Sequence, residues 1–326
     1  MGDPAGCGPQ ITVQAWEQWR DIGERPFFVI ADPAIYAGSV PTAEIETPYD
    51  AHSVFGSALP VLPIQLASQS ELKVGVPSSD HAPTTIESIS QATRACLTGE
   101  AAAIVTNPIA KSVLYEAGFE FPGHTEFIAS LCSEATGDDI SPVMMLVGGG
   151  LKVALATIHV PLMRVLDHLT PDTLSEVATI THAALKRDFG IAEPRIAFTG
   201  LNPHAGEDGT IGTEERDLIN PIAESLRQTG INVSDARSAD TVFHEALNGA
   251  FDAVIAMTHD QGLIPVKTLD MWGGVNTTLG LPIVRTSPDH GTAYDAAAAG
   301  TCRPDSLIAA LTLAEEMCRN RDANRG

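Results

Sequence analysis

Three histidines stand at comparable points of the chain, each at or just beyond the end of a short apolar run. His159 closes Val153–Ile158, His204 follows Ile196–Leu201 through Asn202-Pro203, and His259 follows Ala253–Thr258 and opens His259-Asp260-Gln261-Gly262. Apolar runs of this length between turn residues read as strands, and in open parallel sheets ligands gather beyond the carboxyl ends of strands. Neutral imidazole is the commonest side-chain ligand for a borderline divalent metal, and three protein ligands with positions left open make a reactive site. Any one of the three could equally be a hydrogen-bonding loop residue. Their repetition at three strand ends points to a divalent metal, expected to be Zn, Co or Mg. His52, His81, His168, His182 and His244 lie in polar or helical stretches and read as solvated.

Other stretches carry anion chemistry. Phe121-Pro122-Gly123-His124-Thr125 places an imidazole and a hydroxyl where a helix opens, and free N–H groups there favour an anion; an ordinary N-cap by Thr125 is the alternative. Lys267 and Arg285 flank Gly273-Gly274-Val275-Asn276 in a segment otherwise almost free of positive charge. Arg supplies a planar fork and Lys a point charge, so the pair could neutralise a doubly anionic ligand, or be solvated surface cations. Asp289-His290-Gly291-Thr292-Ala293 is a tight polar turn ahead of an alanine-rich helix and could hold an adenosine or phosphate group through backbone donors. No G-x-G-x-x-G or Walker pattern occurs, so neither of those phosphate loops is supported.

The elements that must position these residues are legible. Strands are expected at Phe27–Ala31, Ala102–Thr106, Val153–Ile158, Ile196–Thr199, Ala253–Met257 and Ile283–Thr286, and helices at Thr84–Leu97, Pro171–Lys186 and Asp305–Met317. Alternation of this kind builds a mostly parallel sheet covered by helices. Gly148-Gly149-Gly150 reads as a hairpin turn between Val143–Val147 and Leu151–Ile158. With 326 residues, 44% hydrophobic and 18% charged, the chain can bury a large core, and two α/β domains are expected. Nineteen Lys and Arg against 41 Asp and Glu give a net charge of −22, which disfavours a nucleic-acid partner and makes each cation worth locating. No apolar stretch approaches the roughly 18 residues of a membrane span, and no membrane role is expected. Five scattered cysteines with no C-x-x-C pair imply reduced thiols in a cytoplasmic protein.

Taken in order, six blocks make the chain resemble the 4-hydroxythreonine-4-phosphate dehydrogenase family of vitamin B6 biosynthesis: Gly2–Gly6; Thr106-Asn107-Pro108-Ile109-Ala110-Lys111; Pro122–Phe127; Asn202-Pro203-His204-Ala205-Gly206-Glu207; His259–Gly262; and Gly274–Ala293. The resemblance implies two α/β/α domains with a central cleft, similar to isocitrate and isopropylmalate dehydrogenases. Their expected extents are 1–128 with 270–326 on the cofactor side and 129–269 for metal and dimerisation. It implies a homodimer whose metal site is shared between subunits, with His159, His204 and His259 as ligands. His124, Thr125, Lys267, Asn276 and Arg285 would contact a phosphorylated small-molecule substrate. Asp289, His290, Gly291, Thr292 and Ala293 would lie near NAD, or NADP in its place. Lys267 and Lys111 are the candidate proton acceptors. Family members begin several residues earlier, with a strand leading into Gly-Asp-Pro, so an extra strand ahead of Met1 is expected in the natural protein.

The implied reaction is oxidation of 4-phosphooxy-L-threonine at C3 followed by decarboxylation. Relatives that oxidise 4-phosphoerythronate, 4-phosphothreonate or an aromatic cis-dihydrodiol are the nearest rivals. From another class, three histidines and an open metal position would also suit a metal-dependent hydrolase, which needs no dinucleotide.

Overall fold

A computed structural model describes residues 1–66 and 72–324. The chain divides into two compact units, each made from separate stretches of sequence: unit 1 is Met1–Ser141 with Leu281–Cys318, and unit 2 is Pro142–Gly280 with Arg319–Gly326. The units break after residues 141 and 280, where the approximate breaks expected from the sequence lie after 128 and 269. Packing explains both shifts. The helix His124–Thr136 buries Phe127, Ile128, Ala129 and Cys132 in one cluster with Ile89 and Ile104 of unit 1. The strand Val275–Leu279 pairs antiparallel with the first strand of unit 2.

Numbered along the chain, the strands are β1 Val29–Ala31, β2 Thr42–Glu44, β3 Leu59–Pro63, β4 Ala103–Val105, β5 Val143–Gly148, β6 Leu151–Leu155, β7 Ile196–Phe198, β8 Ala253–Ala256, β9 Val275–Leu279 and β10 Val284–Pro288. In unit 1, β1, β3 and β2 form a parallel sheet in that order, and β4 pairs in parallel with β10. A cavity of about 470 Å3 is lined by Val29 and Ile30 of β1, by Ala103, Ile104 and Val105 of β4, and by apolar helix residues such as Leu307 and Leu311. A strand laid along these two edges would occupy it.

Unit 2 is ordered β9-β5-β6-β8-β7. Pairings β6–β8 and β8–β7 are parallel, while β9–β5 and β5–β6 are antiparallel. The β5–β6 turn is the expected hairpin: Gly149 and Gly150 both have positive φ (58° and 86°), as a two-residue turn matched to strand twist demands. An added Cβ at Gly149 would stand 2.5 Å from Leu269 Cβ, so only glycine fits.

The helices follow their sequence signals. Pro171–Arg187 starts with Pro171 in its first turn, is capped by the Thr170 hydroxyl on Thr173 N (3.2 Å), and buries Leu174, Val177, Ala178, Thr181, Ala184 and Leu185 along one stripe. At the C-terminal end, Arg321 and Arg187 converge on the fully buried Asp188 carboxylate, at 2.6 and 2.7 Å. Burial alone would raise that carboxyl's pKa, but the two guanidinium partners outweigh it and hold it below the ordinary carboxylate value. His81 corrects the sequence reading. It is 3% exposed, at the end of the Ser79–His81 turn that leads into the helix Ala82–Leu97, and is buried rather than solvated.

Candidate active site

The sequence-predicted residues fall into one set on each unit. On unit 1 the helix His124–Thr136 opens behind Gly123, which has no side chain to cap it, so Thr125 lies in the first turn and is not the N-cap. The first-turn N–H groups therefore have no side-chain cap. His124 Nε2 is buried without a hydrogen-bond partner among the described residues. Burial, followed by the positive charges of Arg285 and Lys111, pushes the His124 imidazole well below its ordinary value, so it is neutral and able to offer either a donor or an acceptor.

Arg285, on β10, is 3% exposed, and its NH2 group donates to Thr106 Oγ1 at 2.8 Å. Burial lowers its pKa to about 10, still cationic at neutral pH, and Glu126 opposes the shift. Lys111 begins the helix Lys111–Glu116 and reaches over Gly123: a Cβ placed there would meet Lys111 Cε at 3.4 Å. A neutral imidazole, an Arg, a Lys and an uncapped helix start thus gather in one part of a strongly acidic chain.

The turn Asp289–Ala293 is built against the opening loop. Cys7 N donates to Thr292 O (2.8 Å), and an added Cβ at Gly6 would meet Thr292 O at 2.9 Å, so close approach requires glycine. Asp3 is the hub: its Oδ1 accepts from Ala5 N (2.9 Å) and its Oδ2 from the Tyr294 hydroxyl (2.6 Å). Asp289 N donates to Ser306 Oγ (3.1 Å), and Ala293 adopts a left-handed conformation, φ 46°. The turn is a fixed polar platform, with His290 exposed and open space over Gly291. Such a platform fits a dinucleotide's adenosine end. Cys7, pushed up to about 12 chiefly by burial, is no nucleophile.

On unit 2 the ring centroids of His159 and His259 are 5.7 Å apart, close enough for two imidazoles to face one ion. His259 opens the helix His259–Leu269, and its Nδ1 meets Asp260 Oδ1 at 2.9 Å, so that Nε2 is the ring nitrogen that could ligate a metal. A carboxylate on the outer nitrogen is the usual orientation device for a metal-bound imidazole. Gln261 knits the strand ends beneath: its Oε1 accepts from Thr199 Oγ1 (2.7 Å) and Met257 N (2.9 Å), and its Nε2 donates to Gly200 O (2.8 Å). The donor set fits a divalent cation, but His204 does not join it within one chain: among the described residues no group of three His, Cys, Asp or Glu could hold a metal. His204 is exposed, on a loop after β7. Asn276 lies on β9 opposite Leu146 and has a buried Oδ1 with no partner among the described residues. Lys267 occupies the last turn of the helix that His259 begins.

Sequence reasoning gave no role to Asp3, Thr106 or Gln261, although each lies within one of the six blocks, and it did not mark Tyr294 at all; their roles are recognisable only by what they touch.

A model of the pyridoxal phosphate biosynthetic protein PdxA matches residues 24–314. The chain belongs to that family. It is 49% identical over 331 residues to the 4-hydroxythreonine-4-phosphate dehydrogenase of Maricaulis maris, covering 98% of this chain and 97% of the relative. Among solved structures it is similar to the Klebsiella pneumoniae enzyme of the same name, with a TM-score of 0.86, 33% identity and 98% of each chain covered. A terephthalate 1,2-cis-dihydrodiol dehydrogenase from Burkholderia xenovorans is similar at TM-score 0.65 and 27% identity, over 97% of this chain and 96% of that one.

Proposed function

We propose that this oxidoreductase of the PdxA family oxidises 4-phosphooxy-L-threonine at C3 with NAD, or NADP in its place. The product, 2-amino-3-oxo-4-phosphooxybutyrate, is a β-keto acid and loses CO2 to give 3-amino-2-oxopropyl phosphate for pyridoxal phosphate biosynthesis. The observation that carries the reading is the clustering of buried Arg285, neutral His124 and Lys111 at an uncapped helix start in a chain of net charge −22. The field of such a chain repels anions, and a local cluster of cations and free N–H groups is what an anionic ligand would need in order to bind.

Arg285, kept in place by Thr106, would grip the phosphate with the His124 and Thr125 N–H groups, and Lys111 would add a point charge. Asn276 would use its orphaned carbonyl oxygen to accept from the substrate's ammonium or hydroxyl group. Lys267 would take the C3 hydroxyl proton as hydride leaves for the dinucleotide, whose adenosine end Asp289, His290, Gly291, Thr292 and Ala293 would hold. The divalent cation held by His159, His259 and the His204 of a second copy would lower the pKa of that hydroxyl. Support for a dimer comes from the chain beside these ligands: Leu162, Met163 and Leu166 after His159, and Ile264 and Leu269 on the helix that His259 opens, are large apolar side chains left exposed.

The likeness to the cis-dihydrodiol dehydrogenase keeps a second reading alive, since the same cations would serve a dicarboxylate. A turnover panel of 4-phosphooxy-L-threonine, 4-phosphoerythronate and an aromatic cis-dihydrodiol dicarboxylate separates them. Preference for the amino acid supports the proposal; preference for either rival replaces the substrate assignment.

A further inference from the structure

The segment carrying His204 has a backbone that L-residues avoid. His204, Ala205, Gly206, Glu207 and Asp208 all have positive φ, at 52°, 52°, 78°, 44° and 54°. Four of these five are not glycine, and a run of left-handed residues survives only where its surroundings over-determine it. The determinant is Glu215, a carboxylate 3% exposed although it lies in a helical turn of a strongly acidic chain. Its Oε1 accepts from Leu201 N (2.8 Å) and Asn202 N (2.7 Å), and its Oε2 from Asn202 Nδ2 (3.0 Å). The loop then wraps this side chain: a Cβ added at Gly206 would stand 2.6 Å from Glu215 Oε2 and 2.7 Å from Gly212 O. Ile211 N closes the loop onto Gly206 O (3.1 Å).

We infer that Glu215 is a positioning residue for the metal site: its buried carboxylate fixes the Asn202–Asp208 loop, left-handed from His204 to Asp208, and so presents His204 as a ligand. The inference rests on the reading of His204 as a metal ligand. The chemistry is specific to a carboxylate. All three contacts reach it from donors, so both oxygens must accept; an amide would turn an N–H group toward one of those donors, and an aspartate is one methylene too short.

The test uses the full-length protein stripped of metal. Co2+ affinity is measured by calorimetry and by the visible spectrum of the bound ion, alongside amide exchange of residues 201–208, for wild type, Glu215→Gln, Gly206→Ala and His204→Ala. The expected result is a Co2+ affinity at least tenfold weaker in Glu215→Gln and Gly206→Ala, with faster exchange confined to the loop and unchanged protection in β7 and β8. Glu215→Gln binding Co2+ like wild type while His204→Ala loses it would overturn the inference and leave the ligand assignment standing. Wild-type affinity in His204→Ala would instead overturn the ligand assignment, and the inference with it. Should Glu215→Gln fail to fold, Gly206→Ala decides alone: undiminished affinity overturns the inference.

Discussion

Burial at single residues gives the sharpest predictions. Arg285 is enclosed and held by Thr106, so Arg285→Ala removes a charged partner that a bound phosphate cannot replace with water. A loss of about 1.5–3 kcal/mol of transition-state binding, roughly tenfold to a hundredfold in kcat/KM, is expected for 4-phosphooxy-L-threonine, and much less for an unphosphorylated analogue. Equal losses for both would remove Arg285 from the phosphate. His124 gives a pH prediction. Its folded-state pKa is depressed, so below about 6.5 the unfolded chain takes up a proton that the folded state refuses, and stability falls as pH drops through that value. Calorimetry should show wild type losing stability relative to His124→Gln between pH 8 and 5; a constant difference would mean that His124 takes up its proton as readily in the fold as in the unfolded chain. Little of this was legible beforehand. Types and order marked His124 and Arg285, but Thr106, Glu215 and Tyr294 owe their roles to contacts across 179, 14 and 291 positions of sequence, which no local pattern encodes.

At the scale of elements the sequence was a better guide where periodicity is strong. The helices Pro171–Arg187 and Ala82–Leu97 and the β5–β6 hairpin follow from apolar spacing and from glycine pairs. Strands β2, β3 and β9 did not: β2 has only three residues, β3 carries two prolines, and β9 carries Asn276, Thr277 and Thr278, whose polarity hides a strand. The edges of β1 and β4 facing one cavity lead to an engineering prediction. Extending the chain ahead of Met1 by about six β-branched residues, a typical strand length, should fill the space and raise Tm by several degrees. An unchanged Tm would show that the cavity does not accept a strand. The Asp188 cluster offers a complementary loss: Asp188→Ala strands Arg321 and Arg187 beside a buried site, with an expected cost of about 3–5 kcal/mol in denaturant unfolding. A cost below about 1 kcal/mol would mean that both cations escape to water.

For the whole molecule, the division of candidate ligands matters most. His159 and His259 stand together and His204 does not join them in one chain, as a site completed by a second copy requires. Mixing inactive His204→Ala and His259→Ala proteins under subunit exchange should therefore restore activity, to at most about a quarter of wild type for random pairing with one intact site per mixed dimer. No recovery in confirmed mixed dimers would place all three ligands in one subunit.

Metal-dependent oxidation by a dinucleotide, coupled to loss of CO2, can be followed through NADH absorbance and released CO2 together when metal-stripped protein meets 4-phosphooxy-L-threonine and NAD, before and after addition of Zn2+, Co2+ or Mg2+. No signal is expected without metal and, with it, NADH and CO2 in equal amounts, NADP being tried in parallel. Turnover undiminished by chelation, or substrate consumed with no reduced dinucleotide, would contradict it.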